Sequence, residues 1–292
     1  MNWITAWRRR PWAGYAVVLA ALAAIGFVYA GFSPAADKAA ADNSAAARQD
    51  LNNGRQLFNQ NCATCHGLNG QGTRDANGKQ VAPSLIGVGA AAVDFQVGTG
   101  RMPAANAGAQ VPRKPQVEAF NTSSKDPEIA AQARKNLEDI SAYVASLGGG
   151  PGIPGSEQVN PEGADLALGG KLFRTNCAQC HNFAGSGGAL TGGKYAPSLQ
   201  NSTPTQIYEA MITGPQAMPV FNDTTITPQQ KRDIIAYIIQ TRSEPNPGGN
   251  GLGRVGPVTE GLAGWLIGLS LLVLAAMWIT SKKPSTLKKQ ND

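Results

Sequence analysis

Histidine and cysteine are scarce in this chain, with two histidines and four cysteines among 292 residues, and methionine is nearly as rare at five. So little imidazole leaves none over for general acid–base catalysis once a single structural use has claimed both residues. Charge is missing from two long stretches, Arg10 to Asp37 and Gly261 to Thr280, which contain no charged side chain between or within those limits. The formal net charge of +6 invites a reading as a binder of nucleic acid, but its distribution excludes that. Arg8, Arg9, Arg10, Lys282, Lys283, Lys288 and Lys289 stand in the tails against Asp292, and the rest of the chain carries 18 basic and 18 acidic side chains. The central part is therefore neutral, and no basic face is left to track a phosphate backbone.

All six of the scarce ligand residues fall into two five-residue stretches, Cys62-Ala63-Thr64-Cys65-His66 and Cys177-Ala178-Gln179-Cys180-His181. Two cysteines three positions apart, followed at once by histidine, form the attachment signature of a c-type haem. One helical turn presents both sulfurs to the vinyl groups and the imidazole to the iron. Structural zinc would not set histidine directly against the second cysteine of both pairs. A redox Cys-x-x-Cys pair explains neither the histidine nor its duplication. The chain is thus expected to bind two covalent haem c groups through Cys62, Cys65, Cys177 and Cys180, with His66 and His181 as proximal iron ligands.

The two motifs sit in an internal repeat. Phe58 and Phe173 precede them at the same offset of 115 that separates Cys62 from Cys177. Val81-Ala82-Pro83-Ser84-Leu85 then matches Tyr195-Ala196-Pro197-Ser198-Leu199, and Thr99-Gly100-Arg101-Met102-Pro103 matches Thr213 to Pro219. The segments 137–147 and 231–241 close each copy with apolar residues at helical spacing. Each unit reads as helix, haem motif, long loop, methionine and closing helix. The last pair is offset by only 94, so the first copy holds about 20 additional residues, roughly Ala104 to Ala130. Their composition predicts an irregular loop, either a solvated excursion or a lobe for docking a partner.

A sixth ligand for each iron has to come from somewhere other than histidine. Met1 is the initiator and Met277 lies in an apolar run, which leaves Met102, Met211 and Met218. Met102 follows Cys62 by 40 residues and Met218 follows Cys177 by 41, and both precede proline. Met211 falls in a short amphipathic helix and reads as core packing. Met102 and Met218 are accordingly the expected axial ligands. Ligation by histidine and methionine leaves no vacancy for a reactant, so no catalytic residue is expected and both sites read as electron carriers.

Composition divides the chain into an N-terminal apolar segment 1–36, a first haem unit 44–148, a linker 149–162, a second haem unit 163–244, a Gly-rich tether 245–260, a membrane-spanning helix 261–280 and a tail 281–292. The first segment is long enough to span a bilayer, and small residues at Ser33-Pro34-Ala35-Ala36 also allow cleavage, so signal and anchor both stay open. Residues 33 to about 49 read as a disordered linker. Trp265 and Trp278 bracket the second apolar run, with lysines just beyond. By the positive-inside rule both tails are cytoplasmic, and the haem units lie on the extracytoplasmic side of the plasma membrane. The fold class expected is mainly α, with two tandem class I cytochrome c domains.

The membrane arrangement and the flanks of the motifs resemble a specific family. Pro-Ser-Leu-Ile-Gly-Val-Gly and Val-Gly-Thr-Gly-Arg-Met-Pro in the first unit, and Leu-Phe-Arg-Thr-Asn-Cys-Ala-Gln-Cys-His-Asn-Phe with Gly-Gly-Lys-Tyr-Ala-Pro in the second, are similar to the di-haem cytochrome c subunit of the actinobacterial cytochrome bcc complex, a menaquinol–cytochrome c reductase. The resemblance covers nearly the whole chain. It implies a subunit of a respiratory translocase whose partners are a cytochrome b subunit, a Rieske iron–sulfur protein and an aa-type terminal oxidase. From cytochromes c in general it implies that the carbonyls of Pro83 and Pro197 accept the second ring N–H of each proximal histidine. A di-haem subunit of a cbb-type oxidase is the alternative, but only an N-terminal anchor is expected of it. A di-haem peroxidase would need an open iron and spare histidines, and a gas sensor would need a signalling domain.

Overall fold

The computed structural model describes residues 12–32, 50–105, 108, 110–245, 252 and 257–281. The two basic clusters, the Ala-rich linker and most of the tether lie outside the described residues. The chain separates into residues 1–52 and 53–292. The first of these contains helix α1 (Ala13–Phe32), whose apolar side chains are largely exposed over Gly14–Ile25.

The larger unit is mainly helical and is built twice over. The first copy runs α2 (residues 50–61), α3 (Ala63–His66), a short antiparallel pair β1 (Thr73–Arg74) and β2 (Gln80–Ala82), α4 (Ala90–Gly98), a single 3-10 turn (Glu118–Phe120) and α5 (Pro127–Ser146). After α6 (Ser156–Val159), the second copy runs α7 (Leu166–Asn176), α8 (Ala178–His181), the pair β3 (Gly188–Ala189) and β4 (Tyr195–Ala196), α9 (Pro204–Thr213) and α10 (Pro228–Ser243). The helix starts are written in the sequence. Proline occupies the first turn of α5, α9 and α10, and the side chains of Asp126, Thr203 and Thr227 cap the backbone N–H groups that follow. Thr203 with Gln206 and Thr227 with Gln230 form full capping boxes.

In each copy the first and last long helices cross at a glycine. Gly54 lies against the backbone of Asp139, and Gly169 lies against the backbone of Asp233, so close that a Cβ at either position would collide with the facing carbonyl oxygen. Just beyond each crossing an aromatic pair completes the contact, Phe58 with Tyr143 at 5.3 Å between ring centroids and Phe173 with Tyr237 at 5.4 Å. The facing aspartates are buried and satisfied. Asp139 accepts from Asn53 at 2.6 Å and from Lys135 at 2.7 Å, and Asp233 accepts from the Asp165 N–H at 3.0 Å and from Gln229 at 2.9 Å. Around the crossings sit two apolar clusters, one on Phe58, Ile140 and Val144, the other on Phe173, Ile234 and Ile235.

The additional segment of the first copy is only partly the expected irregular loop. Its last residues, from Pro127, are already the first turn of α5, and Phe120 is fully buried in the first cluster. Its middle docks on the second copy. Gln110 exchanges two hydrogen bonds with the backbone of Tyr195, at 2.6 and 2.9 Å, and Gln216 exchanges two with the backbone of Val111, at 2.9 and 3.3 Å. Nor is the stretch between the first haem motif and Met102 one long loop, because α4 occupies Ala90–Gly98 and packs against α9. There Glu209, fully buried, faces Asp94, within reach of a hydrogen bond between the two carboxyl groups when Glu209 holds a proton. Burial first, and then the Asp94 carboxylate, push the Glu209 carboxyl up to about 10, and burial likewise raises Asp94.

The last helix, α11 (Pro257–Thr280), contains a candidate membrane span over Thr259–Thr280 with a mean hydropathy of 2.2 and none of it buried. Its 22 residues would cover about 33 Å at 1.5 Å per residue, which matches a bilayer core.

Two predictions follow from this packing. Gly169→Val should destabilise the haem-loaded protein by about 1–3 kcal/mol or more, because backbone and not a flexible side chain occupies the space. Gly155→Ala, in open extended backbone, should stay within about 0.5 kcal/mol, both read from thermal denaturation. Glu209 titrates near its ordinary 4.5 when unfolded and far higher when folded, so rising pH draws a proton from the unfolded chain first and stability falls from about pH 5 towards pH 10. Glu209→Gln should flatten that slope and add roughly 1–3 kcal/mol at pH 8 while changing little at pH 4.

Candidate haem sites

Each attachment motif is one tight turn hung on the end of a core helix. The N–H groups of Cys65 and His66 both reach the Cys62 carbonyl, at 3.2 and 2.9 Å, and those of Cys180 and His181 reach the Cys177 carbonyl at 3.1 and 2.9 Å. The chain then doubles back through Gly72 or Gly187, whose N–H donates to the His66 carbonyl at 2.7 Å or the His181 carbonyl at 3.0 Å. Both glycines have positive φ and lie so near the segments Ala82–Ser84 and Ala196–Ser198 that a side chain could not be accommodated. The small strand pairs continue this contact and bring Pro83 and Pro197 against the histidines.

The result is the same hydrogen bond twice. His66 Nδ1 lies 2.8 Å from the Pro83 carbonyl oxygen, and His181 Nδ1 lies 2.9 Å from that of Pro197. A carbonyl only accepts, so Nδ1 carries the proton and Nε2 is left as the metal donor. Both rings are buried. Burial lowers the pKa of His181, and the Pro197 hydrogen bond partly offsets this, so the ring is neutral and free to donate its lone pair. Burial, with Cys65 adding to it, pushes the Cys62 thiol up to about 11, and burial with Cys180 pushes Cys177 up to about 12.

In the second copy a cavity of about 640 Å³ is lined by Cys177, Cys180, His181, Phe173 and Leu199, and by Met218. Met218 is half-buried on the loop after α9, its N–H bonded to the Pro215 carbonyl at 3.1 Å. Two tethering sulfurs, an oriented imidazole and a thioether on one largely apolar cavity form a donor set and a shape that fit a covalent haem. Met211 also borders the cavity, but it is 2 % exposed and belongs to the apolar cluster with Phe173 and Ile234. In the first copy Cys62 and Met102 both pack against the Phe58–Ile140 cluster, and His66 is held as described, so the same group fits there. Sequence reasoning overlooked the paired glycines, although their common offset of 115 was readable. It also overlooked Arg101, Gln110, Val111 and Arg113, which border the second cavity from the first copy. No period or motif marks residues that act across a domain boundary.

These two sites, in two mainly helical units, are those of cytochrome c domains. Residues 51–148 match the family described as cytochrome c, and residues 164–238 match the one described as cytochrome C oxidase, cbb3-type, subunit III. Over its length the chain is 42% identical to the cytochrome bc1 complex cytochrome c subunit of Corynebacterium efficiens, covering 94% of this chain and 90% of the relative. It is 44% identical to the subunit of that name in Mycobacterium tuberculosis, covering 94% and 92%. The chain belongs to this family of cytochrome bc1 complex cytochrome c subunits. By contrast, a cbb3-type cytochrome c oxidase subunit of Sinorhizobium medicae is 31% identical over only 30% of the chain.

The ligand assignment is tested in oxidised protein by sulfur-to-iron charge-transfer absorption. Met102→Ala and Met218→Ala should each remove one share of it, lower the potential of the affected site and open it to carbon monoxide. Met211→Ala should leave the band intact and cost about 2–5 kcal/mol of stability. Loss of the band in Met211→Ala, with Met218→Ala unaffected, would reverse the assignment in the second copy.

Proposed function

We propose that this chain is the electron-carrying subunit of a membrane-bound quinol–cytochrome c reductase, holding two covalent haem c groups, and that it relays electrons from a Rieske iron–sulfur protein to an aa-type terminal oxidase. Bound haem supplies a one-electron couple at each site. Cys62, Cys65, Cys177 and Cys180 would tether it, and His66 with Met102, and His181 with Met218, would supply its iron ligands. Pro83 and Pro197 hold each imidazole in the tautomer that leaves Nε2 free, so that little rearrangement accompanies a change of oxidation state. The observation that carries the reading is the duplication itself: two equivalent histidine–proline pairs, each with a methionine loop and neither with a second histidine to leave an exchangeable iron. The quinol chemistry belongs to a cytochrome b subunit, and this chain provides no substrate-binding centre of its own.

Anchored through α11 and, if it is retained, α1, the haem domains are proposed to face the extracytoplasmic side of the plasma membrane. The likeness of residues 164–238 to a cbb3-type subunit is explained by one shared cytochrome c domain, since it stops short of α11.

Thioether bonds survive denaturation, so the protein should stain for haem in a denaturing gel, and replacing Cys62 and Cys65 by alanine should halve the stain. Unchanged staining in that variant would remove the first site from the reading. Rapid stoichiometric binding of carbon monoxide to the reduced, unsubstituted protein would mean an open iron and would favour an enzyme or sensor over a relay.

A further inference from the structure

The cavity of the second copy is not closed by the second copy alone. Arg101 and Arg113, both from the first copy, border it, and they are the only cationic side chains among the residues that line it. No aspartate or glutamate lines it either. Among the described residues neither arginine has an ion-pair partner. Arg101 is half-buried and lies over the Phe95 ring at 5.0 Å, while the exposed Arg113, on the strap of residues 110–113 that docks on the second copy, touches Gln206 at 3.4 Å. Burial lowers the pKa of Arg101, and the Arg113 guanidinium nearby lowers it further. Two like charges gathered at the edge of a largely apolar cavity without an anion form an unfavourable arrangement, and a ligand with two carboxylates would correct it.

The strap is built to keep them there. Gln110 and Val111, three and two residues before Arg113, are fastened to Tyr195 and Gln216 by four hydrogen bonds. Arg101 is held differently, by its neighbour in sequence, because Met102 packs into the first copy's core. Haem ends in two propionate carboxylates on the edge of the macrocycle away from the vinyl groups that the cysteines take. Guanidinium groups match carboxylates in shape and form paired, charge-assisted hydrogen bonds with them.

We propose that Arg101 and Arg113 bind the propionates of the second haem across the domain boundary, so that the first domain sets the potential of the second site. This rests on the two-haem reading above. A cation near the iron favours the reduced state, so loss of either charge lowers the potential. The step from Arg101 to Met102 then places adjacent residues of one loop at different haem sites.

The test is spectroelectrochemical titration of the full-length chain in its membrane complex, with the second site identified by the band that Met218→Ala removes. Arg113→Gln should lower the second midpoint and shift the electron-sharing equilibrium between the sites by about three- to tenfold, tenfold being about 59 mV for one electron. The first midpoint should not move. Arg101→Gln should act in the same direction and the double variant further, whereas Arg113→Lys should restore most of the loss. A second midpoint unchanged within twofold in both single variants and the double overturns the proposal. So does a fall that is equally large in Arg113→Lys, because packing and not charge would then be at work. Haem content is measured alongside: fewer than two groups in the unsubstituted chain would sink the two-haem reading instead.

Discussion

Contact between two backbones, with no side chain between them, governs each half of the haem-binding part of this protein. Where α2 meets α5 and α7 meets α10, glycine lets the helices approach until one main chain rests on the other. Small units rich in loops have little hydrocarbon with which to fill a core, and a close crossing reduces the volume that must be filled. It also aims the chain. Because α3 and α8 are hung from the ends of α2 and α7, the angle at the crossing decides where the paired cysteines and the histidine that follows them stand. The aromatic pairs beyond the glycines, and the buried aspartates that accept hydrogen bonds from both sides, keep that angle from relaxing.

The second level of organisation is the joint between the copies. Two helices of similar position, α4 and α9, pack against each other and bury Glu209 facing Asp94, while the strap of the first copy lies over the second. A buried pair of acids at such a joint is a poor stabiliser, and the protonated state of Glu209 at neutral pH follows from burial and from the Asp94 carboxylate beside it. The joint is thus held by directional bonds and shape more than by charge. That suits a relay, whose rate falls with distance, because it fixes separation without a large apolar interface.

Much of this was legible in the sequence, for identifiable reasons. Covalent attachment requires a fixed local spacing, so the two motifs were unmistakable, and the offset of 115 carried over to Phe58 and Phe173. Helix starts were legible where proline follows a capping threonine or aspartate. The family resemblance drawn from the flanking residues is borne out by relatives that cover 94% of the chain. What escaped was non-local. Helix α4 is uniformly apolar over Ala90–Val93 and offers no contrast between faces, so a reading by periodicity passes over it. The segment from Ala104 to Ala130 looked like a single loop because prolines and glutamines are common in loops. Its buried Phe120, and the glutamine that bonds to a backbone 85 residues away, are decided by tertiary partners.

The bridges between strap and second domain are amide side chains reading main chain. Gln110 recognises the peptide group of Tyr195, and Gln216 that of Val111. The identity of the residue read is therefore immaterial, provided that it is not proline, which lacks the N–H. Mutational drift can pass through 111 and 195 without loosening the joint, while 110 and 216 are confined to side chains that both donate and accept. A joint of this kind fixes how the two domains meet while leaving the side chains at 111 and 195 out of the bonds that hold it.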